Sequence, residues 1–192
     1  MSRRLLPLHQ TGFSMVEMAI VLGVVGIVMG GVWTLAVKVQ QTARVKQAVE
    51  QVITINKNIR NYYQTQACIP NGNQTATLLG LGQNIFPREM LSGGAVIDLW
   101  NGGVQVVGVN AGCDYIFQLD YLALPAETCA ELVPKLTAAG EASRGLVAAA
   151  INGTALQALP PNPTAIIGAG AGQCNAAATA NVTLNYKLRV SD

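Results

Sequence analysis

An uninterrupted apolar run near the start of the chain limits what this sequence can fold into more than any other feature. Residues 18–37 read MAIVLGVVGIVMGGVWTLAV and contain no charged side chain. About twenty apolar residues is the length that an α-helix needs to cross the hydrocarbon core of a bilayer. In the segment before it, Arg3 and Arg4 are the only charged residues ahead of residue 13. The positive-inside tendency therefore predicts a cytoplasmic N-terminus and a chain that continues across the membrane.

A secretory signal peptide and a plain signal anchor are the two simplest explanations of this run. A signal peptide needs a shorter apolar stretch followed by a small-residue cleavage site, and Thr34-Leu35-Ala36 imitates such a site only weakly. A plain anchor accounts for the length, but it has no use for Glu17 at the head of the run. By insertion scales a carboxylate at the centre of a membrane helix costs about 2.5–3.5 kcal/mol, so Glu17 calls for a positively charged partner.

Residues 12–17 read Gly-Phe-Ser-Met-Val-Glu and lead directly into the apolar run. This pattern resembles the cleavage and assembly motif of type IV pilins, in which a prepilin peptidase cuts after the glycine and methylates the new N-terminus. The resemblance implies that residues 1–12 are a cleaved leader ending at Gly12, and that Phe13 becomes the N-methylated first residue. It also implies that Glu17 pairs with the Phe13 amine of a neighbouring subunit during polymerisation.

The helical pattern continues beyond the apolar run, without proline or glycine, until after Cys68. We expect one helix over residues 13–66, about 80 Å long at 1.5 Å per residue. Its first part, residues 13–37, would cross the membrane and, by the resemblance, later form the filament core. Its second half has an apolar stripe that predicts packing on a globular domain, with charged residues on the other faces. The stripe comprises Val45, Val49, Val52, Ile59 and Tyr63, and the charged residues are Arg44, Lys46, Glu50, Lys57 and Arg60.

Gly26 and Gly30 form a G-x-x-x-G pair inside the apolar run. This spacing lets helix backbones approach closely in an apolar medium, so both glycines are candidates for helix packing. The alternative is that glycine is simply common in membrane helices.

Residues 67–192 are expected to form a globular head domain. The segment from Cys68 to Leu91 is rich in Gly, Asn and Pro, which indicates a long surface loop with at most a short helical turn. Strand patterns follow, and Pro125 opens a helical stretch to about Leu136. The expected strands are Val96–Trp100, Val104–Val109, Tyr115–Tyr121 and Val182–Val190. Four strands and a long helix predict an α+β class, an antiparallel sheet laid across the helix, which is also the pilin architecture. Strand order and the path from Gly140 to Gly172 stay open.

The four cysteines are expected to form disulfides, because the bulk of the chain is predicted to lie outside the cytoplasm. They include no C-x-x-C pair, and the only histidine, His9, lies in the leader, so neither a metal site nor a cofactor has support. Three connectivities are open to four cysteines. Cys129–Cys174 resembles the C-terminal disulfide loop of pilins, and that pairing leaves Cys68 with Cys113.

The charges and motifs give no support for an enzyme or a nucleic-acid-binding protein. Twelve basic and ten acidic side chains leave a net charge of only +2, and loss of the leader would remove two of the basic ones. Scattered acids such as Asp114, Asp120, Glu127 and Glu131 are explained by a solvated surface. We find no catalytic constellation in the sequence.

The resemblance implies the major subunit of a type IV pilus. The short leader and Phe13 resemble the type IVa group, whereas the length and the wide Cys129–Cys174 loop are closer to the type IVb group, which we favour. Its partners would be copies of itself, the prepilin peptidase, the assembly platform and its ATPase. The precursor would reside in the inner membrane, with the head in the periplasm, before export into an extracellular pilus. The alternative within the same class is a pseudopilin or minor pilin of a secretion or pilus-assembly system. The alternative from another class is an anchored extracellular enzyme or lectin-like receptor.

Overall fold

A computed structural model describes residues 14–64, 66, 69–81, 85–109, 116–137, 145–156 and 172–188. The chain divides into two compact units, with the boundary between Thr42 and Ala43. One helix, α1 (Met15–Tyr63), contributes its apolar first part to the first unit and the remainder to the second.

Among the described residues, the second unit combines the end of α1 with shorter helices and an antiparallel sheet. The shorter helices are α2 (Thr75–Gly80) and α3 (Ala126–Leu136), and a 3-10 turn covers Arg88–Met90. The strands in the described residues are β1 (Gly72–Asn73), β2 (Leu91–Ser92), β3 (Ala95–Val96), β4 (Val104–Gly108), β5 (Ile116–Pro125), β6 (Leu146–Ile151), β7 (Thr154–Ala155) and β8 (Thr179–Lys187). Six of them form one sheet in the order β1-β4-β5-β8-β6-β7, and β2 pairs with β3 as a separate hairpin.

An apolar stripe on the second part of α1 is buried in the same core as the sheet. Its buried members, spaced three and four residues apart, are Val45, Ala48, Val52, Ile55, Ile59 and Tyr63. The predicted stripe is thus confirmed, except that Val49 is only half-buried at its edge. Two hydrogen bonds add to this packing. Asn58 Nδ2 donates to the Ile85 carbonyl at 3.1 Å, and Arg60 Nη2 donates to the Lys187 carbonyl at 2.7 Å.

The centre of the sheet is formed by β5 and β8, which pair antiparallel over most of their length. Alternate side chains on each strand face the core, as the two-residue period of a strand requires. The buried ones are Phe117, Leu119 and Tyr121 on β5 and Val182, Leu184 and Tyr186 on β8. Phe117 and Tyr186 stack across the two strands, with ring centroids 5.6 Å apart. The last strand in sequence is therefore a central strand in space.

The predicted α+β class is confirmed, and several local expectations need correction. The segment expected as a surface loop up to Leu91 contains β1 and α2, and it buries Leu78, Ile85, Phe86 and Met90. The strand expected over Val96–Trp100 ends at Val96, and beyond it only Ile97 bridges to Gly103. Tyr115 and Val190, expected at strand ends, lie outside the described residues.

A buried aspartate explains why the expected strand stops there. Asp98 Oδ1 accepts hydrogen bonds from the backbone N–H groups of Trp100, at 2.8 Å, and Gly102, at 2.7 Å, which closes a tight loop. Gly102 has no room for a side chain, because a Cβ would overlap the Leu122 carbonyl oxygen. Asp98 Oδ2 is buried without a hydrogen-bond partner. Burial raises the pKa of the Asp98 carboxyl above its usual value, and the two N–H bonds oppose that rise.

Substitutions of Asp98 are expected to distinguish the contribution of the hydrogen bonds to Oδ1 from the effect of burying the carboxyl group. Asp98→Ala leaves two N–H groups without an acceptor and should lower the free energy of unfolding by about 2–3 kcal/mol, whereas Asp98→Asn keeps an acceptor and should cost less than about 1 kcal/mol. Because folding raises the pKa, the stability that Asp98 contributes is present at low pH and is lost as the pH rises through the folded pKa. The stability of Asp98→Asn relative to the wild type should therefore increase as the pH rises through the raised pKa of the Asp98 carboxyl.

Urea unfolding of the detergent-solubilised full chain, in a Trp33→Phe background so that Trp100 reports alone, measures both effects. Equal losses for Asp98→Ala and Asp98→Asn at all pH values would contradict the proposed role of the Oδ1 acceptor.

Candidate assembly site

Glu17 lies in the first turn of α1, which begins at Met15. Around it, Met18 N donates to the Ser14 carbonyl at 3.1 Å, so the helix is already formed at this point. The first turn of a helix exposes free N–H groups and favours negative charge, which makes it a suitable position for a carboxylate. The cleavage and methylation residues of the resemblance, Gly12 and Phe13, lie outside the described residues.

The first part of α1 presents an apolar surface that nothing in the described chain covers. Its large apolar side chains are exposed from Met15 to Val39, with Trp33 at 75% and Ile27 at 79% exposure. A surface of this extent is rare on soluble monomers and indicates contact with other proteins or with lipid. By length and composition α1 is a helix that could span a membrane.

Gly26 and Gly30 both lie on this exposed part of α1. A Cβ placed at either position would meet nothing within 4 Å, so no contact within the described chain requires glycine there. At 100° per residue, Glu17 lies about 180° around the helix from Gly26. The carboxylate and the glycine pair therefore face different sides of the helix.

The structure contains the Cys129–Cys174 disulfide that the resemblance implies. The two Cα atoms are 5.6 Å apart, within the usual range, and both side chains are fully buried. The bond joins α3 to the segment that precedes β8 across 45 residues of sequence. Cys68 and Cys113 lie outside the described residues, so their pairing stays a prediction.

A groove of about 440 Å³ lies between α2 and the strands β3 and β4. Its lining contains no acidic, basic or histidine side chain, and its polar groups include Asn73, Thr75 and Gln105. The Thr75 hydroxyl already accepts a hydrogen bond from Val106 N at 2.9 Å. Among the residues that the structure describes, no group of three or more His, Cys, Asp or Glu side chains could hold a metal ion.

Two protein families match this sequence. Residues 8–33 match the family described as the prokaryotic N-terminal methylation motif, and residues 41–186 match the family described as PilS N terminal. No curated protein shows significant sequence similarity to the chain.

Similar solved structures include two pilins. TcpA, a type IV pilin from Vibrio cholerae El Tor biotype, is 13% identical, with a TM-score of 0.51 over 76% of this chain and 99% of that chain. A type IVb pilin from Salmonella typhi is 16% identical, with a TM-score of 0.49 over 70% of this chain and 95% of that chain. The first of these similarities shows a shared fold.

An exposed apolar helix that continues into the core of an antiparallel-sheet unit, preceded by a methylation motif, defines the class of type IV pilins. The resemblance found in the sequence is thereby confirmed. Within that class, the chain belongs to the PilS N-terminal family, which matches about three quarters of its length.

Proposed function

We propose that this chain is the precursor of a major pilin, a structural subunit that polymerises into a type IV pilus. The observation that carries the proposal is Glu17, a single carboxylate at the start of an exposed apolar helix that has no other charged residue before Lys38. Such a group is costly in a membrane, and a second copy that supplies a positive charge at the same depth removes that cost.

Processing would create that positive charge. The prepilin peptidase cuts between Gly12 and Phe13, removes the leader, residues 1–12, and methylates the Phe13 amine. Before assembly the precursor resides in the inner membrane, with its leader in the cytoplasm and its head, residues 67–192, in the periplasm. This orientation follows from Arg3 and Arg4, which precede the apolar run.

Assembly would then bury the exposed first parts of these helices, residues 13–37, against one another, in a process that involves the pilus assembly platform and its ATPase. Glu17 pairs with the Phe13 amine of a neighbouring copy, while Gly26 and Gly30 let a different neighbour approach on the other side of the helix. The 180° between Glu17 and Gly26 supports two separate contacts of this kind. The buried surface is apolar, so the gain in free energy comes from helix packing and from the paired charge.

The type IVb subclass is supported by the length of the chain and by the 45-residue span of the Cys129–Cys174 disulfide. Adhesion, motility and DNA transfer are the roles that a pilus of this class would serve. The alternative, a pseudopilin or minor pilin, shares the processing motif and differs in abundance, because only a major subunit forms long surface filaments.

Mass spectrometry of protein sheared from cells tests the proposal. We expect an intact mass and an N-terminal peptide that begin at Phe13, heavier by one methyl group, as the dominant species of the sheared fraction. Gly12→Leu should leave full-length precursor in the membrane, and Thr11→Ala, which keeps the glycine, is the matched control. An unprocessed form confined to the membrane of wild-type cells would refute the proposal, and processed protein absent from the sheared fraction would favour the pseudopilin alternative.

A further inference from the structure

Positive and negative charges are separated between two parts of the second unit. Residues 43–64, the end of α1, contain four basic side chains and one acidic one, whereas residues 65–192 contain five basic and eight acidic ones. The two parts therefore have net charges of opposite sign, +3 and −3. Because the chain as a whole is almost neutral, this separation does not show in its total charge.

Two lysines form an exposed cationic face on α1. Lys46 and Lys57 are both exposed, and their spacing of eleven residues puts them within about 20° of each other around the helix. Ile55, nine residues from Lys46, is fully buried on the opposite side. Glu50 is also exposed and lies on the same face, about 40° from Lys46 and 20° from Lys57, so this face combines two basic side chains with one acidic one. Within the described part of the chain, neither lysine forms an ion pair.

Among the acidic side chains that the structure describes, Glu127 is the one best placed to meet such a face. It is exposed in the first turn of α3, and no basic residue lies within four positions of it in the sequence. The other acids of the described second unit have polar or basic neighbours, and Glu50 lies four residues from Lys46 on the same helix face. Glu131 pairs with Lys135 at 2.8 Å, Asp120 accepts from Gln118 Nε2, Glu89 follows Arg88, and Asp98 is buried in its loop.

We propose that Glu127 of one copy docks against the cationic face, Lys46 and Lys57, of a second copy in the filament. The inference rests on the proposed polymerisation and adds to it a specific contact between heads. A single exposed ion pair contributes little free energy, but this contact recurs at every subunit. Opposite charges on two faces of the same chain also steer a new copy into one orientation and disfavour others.

Charge exchange in the full chain provides the test, with filament yield in the sheared fraction as the readout. We expect Glu127→Lys, Lys46→Glu and Lys57→Glu each to lower filament yield, by about fivefold for the strongest of them, because each reversal creates a like-charge contact. Glu127→Lys is then combined with Lys46→Glu and, separately, with Lys57→Glu. The combination that involves the lysine in contact with Glu127 should restore most of the yield. The matched control is Glu131→Lys with Lys135→Glu, which exchanges an ion pair inside one copy and should leave assembly unchanged.

Two further measurements keep folding and assembly apart. A lysine in the first turn of α3 is unfavourable to the helix dipole, so Glu127→Lys is expected to destabilise α3. Glu127→Gln removes the negative charge without adding a positive one. The urea midpoint of each variant shows whether its head is folded. Carbodiimide crosslinking of filaments grown from mixed ¹⁴N- and ¹⁵N-labelled chains should give a mixed-isotope peptide joining Glu127 to Lys46 or Lys57.

The outcomes separate this inference from the proposed function. Normal yield in all three single variants, or reduced yield that neither combination restores, would overturn the docking contact while leaving pilus formation intact. Absence of filaments from the wild type would instead refute the proposed function itself.

Discussion

Glu17→Ala is expected to leave the precursor inserted and cleaved while filament yield falls to background. The substitution removes the only charged residue of α1 before Lys38, so insertion into the membrane should become easier, not harder. The cut between Gly12 and Phe13 is four residues before Glu17 in the sequence, and we expect processing to continue. Assembly, however, would bury the positive Phe13 amine of the next copy without a partner, at a cost of several kcal/mol per subunit.

Glu17→Gln is the matched control for side-chain size, because it keeps the volume and the polar group but not the charge. We expect Glu17→Gln to assemble as poorly as Glu17→Ala, and Glu17→Asp, which retains the charge, to assemble in part. Processing is measured by mass spectrometry of the membrane fraction, and assembly by electron microscopy and quantitative immunoblotting of the sheared fraction. Wild-type filament yield from Glu17→Gln would show that the negative charge has no role in assembly.

The structure of the N-terminal part of the molecule can be predicted from patterns of neighbouring residues. A twenty-residue apolar run can be recognised without knowledge of any distant residue, and so can the stripe from Val45 to Tyr63. For this reason the predicted helix, 13–66, agrees closely with α1, Met15–Tyr63. The strands with strict alternation were predictable on the same grounds, and the buried Val182, Leu184 and Tyr186 of β8 follow their pattern.

Strand order depends on pairing between distant residues, and single-sequence periodicity contains no such information. The central position of β8, between β5 and β6, results from pairing across 54 to 71 residues of sequence on the β5 side. β6, LVAAAI, is short and has little alternation, so it gave no strand pattern. Asp98 likewise has no local pattern, because what ends β3 is its hydrogen bonds to Trp100 and Gly102.

The charge pattern around Glu127 could have been found in the sequence. Whole-chain totals hide it, and counting charges by segment would have separated the cationic end of α1 from the acidic remainder. The exposed position of Lys46 and Lys57 on a single helix face also follows from helical spacing alone. Only the lack of ion pairs between these positions and other described residues required the structure.

Removing the Cys129–Cys174 disulfide is expected to lower the free energy of unfolding by roughly 4 kcal/mol, the loop-closure value for a span of 45 residues. The Cys129→Ala/Cys174→Ala variant should also lose packing, since both sulfur atoms are buried beside α3 and β8. A loss of this size is a large part of the stability of a domain this small, so we expect reduced levels of mature subunit as well as fewer filaments.

The chain offers a control of equal loop length in Cys68→Ala/Cys113→Ala, because these positions are also separated by 45 residues. If Cys68 and Cys113 are bonded, loop-closure entropy predicts the same loss for both double variants, and any excess for the first reports the packing of Cys129 and Cys174. Urea unfolding of the full chain in detergent measures the two losses, and peptide mapping without reduction establishes the connectivity. A loss below about 1 kcal/mol for Cys129→Ala/Cys174→Ala would contradict this prediction. It would show that the packing of Leu132, Val133 and Leu136 of α3 stabilises this region without the disulfide.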